Sequence, residues 1–202
     1  MLKGDVILVE SKYVYIVISK SDTLPGKLIK LRTKLNFGHR YEKDTYTHLS
    51  LSLDNKLDNM KSFARKSETN IFNSGMINES IYDGFFKKGI IKDIIVIKYP
   101  VSSYKYNKVK REINKYWKNK DYYKYNFLAL LSILVYGKTV KDKKNRRFYC
   151  SEWVTKVLSD ADVIKKDCLK LMRPGLYYHI MKDYVIYEGS VNGYIEKYSL
   201  IK

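Results

Sequence analysis

Between Tyr46 and Asp54 the chain reads YTHLSLSLD, and this period of two constrains the fold more than any other stretch. Successive strand side chains point to opposite faces, so Leu49, Leu51 and Leu53 share one face while His48, Ser50 and Ser52 share the other. A helix would scatter those leucines around its circumference, whereas a strand gathers them onto one core. Asn55–Asn59 supplies a turn, and Met60–Arg65 reads as the return strand of a hairpin.

The rest of the chain is read the same way. Val6–Glu10 and Tyr13–Ser19 form a strand pair or one bent strand, Gly26–Lys34 a short basic helix, and Asn36–Thr45 a loop. Lys92–Pro100 is almost continuously apolar, which predicts an interior strand. Ser102–Lys120 is a polar, Lys-rich helix and Tyr123–Tyr136 a more buried one. Thr139–Arg147 is a basic loop, Cys150–Asp162 a helix, and Tyr184–Glu188 a late strand. Strands that cluster apart from the helices give an α+β class. A length of 202 residues, 45% of them hydrophobic, fits one domain spanning 1–202.

The net charge of +18 first points to nucleic acid. Only seven of the 39 basic residues are Arg, however, and Lys, Ile, Asn and Tyr are abundant together, as an AT-rich coding sequence gives. The charge is therefore read mainly as solubility, and a nucleic-acid or anionic-lipid surface as the lesser reading. No apolar run approaches the ~20 residues that span a bilayer. The N-terminal segment lacks the pattern of a signal peptide, so a cytoplasmic location is expected. Two cysteines make no disulfide framework.

Chemistry concentrates at Cys150. Trp153, Val154, Val157, Leu158 and Ala161 follow it at helical spacing, which puts the thiol on the first turn, on the core-facing side. The positive end of the helix dipole and the unbonded backbone N–H groups there favour a thiolate, the nucleophilic form. The N–H groups of Cys150 and Ser151 are also placed to hold an oxyanion. A small buried residue opening a core helix would give the same pattern. A thiolate needs a base, and His48, His39 and His179 are the three imidazoles. His48 stands on the face opposite the leucines, a face that the Cys150 helix is expected to cover. Cys168 has no comparable helix start and reads as incidental. There is no C-x-x-C, H-x-x-x-H or H-E-x-x-H spacing and no glycine-rich phosphate loop, so neither metal nor nucleotide cofactor is expected.

Five motifs occur in order: GDVIL at Gly4–Leu8, YTHLSLSLD at Tyr46–Asp54, MKSFARK at Met60–Lys66, FYCSEWVTKVL at Phe148–Leu158 and YEG at Tyr187–Gly189. Together the chain resembles the circularly permuted papain-like amidases and peptidases, the YiiX-like branch of the NlpC-type superfamily. The resemblance implies a small antiparallel sheet packed on the nucleophile-bearing helix, with Ser102–Tyr136 as a helical insertion. It implies a Cys150 nucleophile, a His48 base, and a third polar group on the strand after the His strand to orient the imidazole. Relatives often carry a carboxylate or a second His there. This chain offers Ser62, with Asp54 as the runner-up carboxylate. Tyr149, beside the nucleophile, lines the pocket or packs in the core.

The activity so implied is a cofactor-free thiol hydrolase or acyltransferase acting on an amide or ester. The alternative is a catalytically silent basic module for anionic lipid or nucleic acid. Its surface would be Lys105, Lys108, Lys110, Arg111, Lys115, Lys118 and Lys120.

Overall fold

The computed structural model describes residues 11–21, 45–67, 70, 73–129, 132, 142, 144, 146–165 and 173–199. The strands among them are β1 (Lys12–Ser21), β2 (His48–Ser52), β3 (Met60–Arg65), β4 (Ser74–Glu79), β5 (Ile91–Val101), β6 (Lys124–Tyr125), β7 (Arg147–Phe148) and β8 (Val185–Ser190). The helices that position the site are α1 (Gly84–Lys87), α2 (Ser103–Lys118), α3 (Cys150–Asp160), α4 (Pro174–Ile180) and α5 (Val191–Ser199). The strands form one sheet in the order β7-β6-β4-β3-β2-β1-β5-β8. Every pairing is antiparallel except β6 with β7. The class is α+β, as read from the sequence, but the sheet is larger than expected.

β1 and β5 are apolar on both faces because both faces are covered. Val14, Ile16 and Ile18 of β1 join Ile95 and Ile97 of β5 and Leu49 and Leu51 of β2 in one core. Tyr15 and Val17 join Ile94 and Val96 in a second core on the opposite face. α2 and α3 cover the first face. α2 contributes Val109, Ile113 and Tyr116, spaced by four and three residues so that they share one helix face. Its start is fixed by Ser102, whose Oγ accepts the Lys105 N–H at 3.3 Å. α3 contributes Trp153, Val154, Val157 and Leu158, and Phe63 of β3 meets the Trp153 ring at a centroid distance of 5.9 Å. The second face is closed by Leu57, Met60 and Phe86, with Val191 and Tyr194 of α5.

Several expectations lie outside the described residues: the strand at Val6–Glu10, the basic helix at Gly26–Lys34, and His39 and Cys168. Others are corrected. The helix that bears Cys150 covers the leucine face of β2, not the His48 face, because burial of its apolar stripe against Leu49, Leu51 and Phe63 decides the docking. Tyr123–Tyr136 does not begin as a helix. Lys124 N–H donates to the Arg146 carbonyl at 2.9 Å and Asn126 N–H to the Phe148 carbonyl at 3.0 Å, so sheet pairing captures this backbone. β4, α4 and α5 carry no local signal that the sequence reading caught. SGMINE lacks the β-branched alternation of a strand, and β4 forms because β3 offers it an edge over six residues in register. No helix among the described residues is long and apolar enough to cross a membrane.

Candidate active site

His48 is the first residue of β2 and Cys150 the first residue of α3. The two therefore meet at element ends, although α3 packs on the other face of the strand. The Cys150 side chain lies against the His48 imidazole, where as hydrogen-bond partner and as charge it favours the protonated ring. Cys150 is 7% exposed and His48 is partly buried.

The imidazole has a second partner that the sequence reading missed. Glu79, the last residue of β4, places Oε1 and Oε2 each 3.1 Å from His48 Nε2. Ser50 Oγ donates to Glu79 Oε2 at 2.5 Å and lies 3.2 Å from His48 Nε2. Burial, the largest influence on His48, pushes its pKa down. The Glu79 carboxylate and then Cys150 outweigh it and hold the ring well above its ordinary value of 6.5. Burial likewise pushes Glu79 up, and the His48 charge with the His48, Ser50 and Ser62 groups brings it below 4.5. The result is a buried imidazolium–carboxylate pair whose nitrogen and ring plane are fixed by the carboxylate.

Ser62 does not take the orienting place expected for it. Its hydroxyl is fully buried on β3, makes no hydrogen bond of good geometry among the described residues, and stands beside Glu79, which it helps keep ionised. Asp54 is also displaced from that role. Its Oδ1 accepts the N–H groups of Lys56 at 2.9 Å and Leu57 at 3.1 Å, so it caps the turn between β2 and β3. Ser52 Oγ donates to the Asp54 carbonyl at 3.0 Å in the same turn. A carboxylate thirty-one positions after the His, on a strand with weak pattern, had no local sequence signal.

The helix start carries backbone N–H groups that lie outside its hydrogen-bond ladder. Tyr149 is the N-cap with extended backbone, and the first helical bond runs from Trp153 N–H to the Tyr149 carbonyl at 3.0 Å. The N–H groups of Cys150 and Ser151 thus precede the hydrogen-bond ladder. Ser151 is buried, and its carbonyl accepts Thr155 Oγ1 at 2.6 Å. The Tyr149 phenol is pushed up by burial, then by the charges of Glu152 and Cys150. Tyr125 of β6 is pushed up by burial and next by the charge of Cys150. A cleft of about 680 Å³ is lined by Glu79 together with Arg65, Ile77, Phe85 and Lys88, and its lining includes neither Cys150 nor His48. Among the described residues no group of three or more His, Cys, Asp or Glu side chains is placed to hold a metal ion.

The basic helix is partly engaged within the chain. Lys108 pairs with Asp162, Lys115 Nζ lies 3.2 Å from Glu112 Oε2, and Lys120 sits 4.8 Å over the Trp117 ring. His179 lies on α4 and stacks edge-on against Tyr178 at 5.5 Å.

Comparison with known proteins gives no match to any family model, curated protein or solved structure.

Proposed function

We propose that this chain is a cysteine-dependent hydrolase or acyltransferase acting on an amide or ester, with Cys150 as nucleophile, His48 as base and Glu79 as the group that orients His48. The observation that carries the reading is the single imidazole held between the Glu79 carboxylate and the Cys150 side chain. The permuted papain-like arrangement belongs to the same reading, supported by the order His48, Glu79, Cys150 and by a nucleophile that opens a helix docked on an antiparallel sheet.

Glu79 engages Nε2, which leaves Nδ1 to serve the sulfur. The imidazolium already holds the thiol proton, and the thiolate attacks the carbonyl carbon while the carbonyl π pair moves to oxygen. The N–H groups of Cys150 and Ser151 stabilise that oxyanion. His48 returns its proton to the leaving amine or alcohol as the tetrahedral intermediate collapses to a thioester. Water or another acceptor, deprotonated by His48, then releases the acyl group. Glu79 stays ionised throughout and stabilises the imidazolium.

The test is acyl transfer from p-nitrophenyl acetate, with mass spectrometry of the Cys150 peptide. The expected result is an acetyl thioester on Cys150 whose formation collapses in Cys150→Ala and His48→Ala. Acetylation elsewhere, or an unchanged rate in His48→Ala, rejects the reading. The basic-module alternative has three of its seven side chains already engaged inside the chain, and no observation favours it.

A further inference from the structure

Asn126 is 3% exposed, and its side-chain amide is only half satisfied. Its Oδ1 accepts the Ala129 N–H at 3.1 Å, which fixes the amide orientation because a backbone N–H can be met only by the oxygen. Among the described residues its Nδ2 has no hydrogen-bond partner, and it is shielded from solvent. An unmet buried N–H₂ loses its hydration with nothing in return, and a group kept at that cost calls for an explanation.

The strand pairing supplies one. Asn126 N–H donates to the Phe148 carbonyl, two residues before the nucleophile. The parallel register of Tyr125 with Phe148 sets Asn126 beside Tyr149. An unpaired amide donor is thus carried by the residue set beside Tyr149, the N-cap of α3.

We propose that Asn126 Nδ2–H is a side-chain donor of the oxyanion hole, completing the set begun by the backbone N–H groups of Cys150 and Ser151. This rests on the hydrolase reading. During attack the new carbon–sulfur bond forms, the carbonyl π pair moves to oxygen, and Nδ2–H donates a hydrogen bond to that oxygen without giving up its proton. The donor is held by the Ala129 cap before substrate arrives, so no reorganisation is needed as charge develops.

The experiment compares two reactions of Cys150 in wild type, Asn126→Asp and Asn126→Ser. Both substitutions keep an acceptor for Ala129 N–H. Acetylation by p-nitrophenyl acetate passes through an oxyanion, whereas alkylation by iodoacetamide is a displacement at carbon that forms none. The expected result is a ratio of acetylation to alkylation lowered by roughly 10²–10³-fold in Asn126→Asp; the added carboxylate disfavours the thiolate in both reactions alike, so the ratio isolates the oxyanion. Asn126→Ser, whose hydroxyl is a shorter donor, should fall between. Acetylation at the wild-type rate in Asn126→Asp overturns the assignment while leaving the hydrolase reading in place. Acetylation and alkylation slowed in equal proportion in both variants also overturn it, because that is the signature of a structural role. If wild type alkylates at Cys150 but takes no acetyl group, the hydrolase reading falls and the assignment falls with it.

Discussion

Both carboxylate oxygens of Glu79 lie 3.1 Å from His48 Nε2, although the two residues stand on strands that are not neighbours. β3 runs between β4 and β2, and the small Ser62 stands on it beside the carboxylate. A long side chain on β4 thus meets a ring on β2 above a serine.

That arrangement gives Ser62 a testable place. Ser62→Ala keeps the gap and removes only a hydroxyl, so acylation of Cys150 should stay near the wild-type rate. Ser62→Leu fills the gap, and overpacking of this kind costs about 1–3 kcal/mol. It should also part Glu79 from His48, so acylation should fall as steeply as in Glu79→Gln. Thermal melts and acylation rates of the two variants decide this, and loss of activity in Ser62→Ala would return the orienting role to the serine.

Replacing Glu79 by Gln leaves a buried imidazole without its counter-charge. Removing one partner of a buried pair costs on the order of 3 kcal/mol, which denaturant unfolding will show. The carboxylate is what lifts the His48 pKa against burial, so Glu79→Gln lowers it. If activity needs the imidazolium, the alkaline limb of kcat/KM in wild type lies well above pH 6.5 and moves to lower pH in Glu79→Gln. An unmoved limb would assign it to another group.

Stability should depend on pH in a bounded window. The folded His48 pKa is raised, so its contribution is full below about 6.5, its unfolded value, and is lost as pH rises through the folded value. The folded Glu79 pKa is lowered, so its contribution is full above about 4.5 and is lost as pH falls through the folded value. The difference in unfolding free energy between wild type and Glu79→Gln should therefore be greatest between pH 4.5 and 6.5 and narrow on either side. A flat difference from pH 4 to 9 would contradict an ionised pair.

Trp153 ties α3 to the sheet. It is fully buried and meets Phe63 at 5.9 Å and Tyr116 at 6.1 Å between ring centroids. Trp153→Ala should cost about 3–5 kcal/mol. Because the same contacts hold α3 against β2 and β3, the loss of stability should come with slower Cys150 acylation even where the variant is fully folded. Calorimetry and single-turnover labelling measure the two effects separately.

Two members of the site were legible one residue at a time. His48 opens an alternating strand, and Cys150 opens a helix whose apolar stripe is plain in the sequence. Each signal is local, set by a periodicity of two or of 3.6 within one element. Glu79 was not legible. It ends a strand whose sequence barely alternates, and the sequence reading settled instead on Ser62 and Asp54, which lie closer to the His strand.

The sequence by itself determined the α+β class, the hairpin from β2 to β3, the apolar interior strand β5 and the helix that starts at Cys150, because local sterics and burial periodicity dictate each. Only the tertiary structure decided that α3 docks on the leucine face, that β4 adds to the edge of β3, and that Glu79 rather than Ser62 holds the imidazole. Those outcomes depend on strand register and on which buried charge finds a partner, and such long-range pairings leave no trace in the spacing of neighbouring residues.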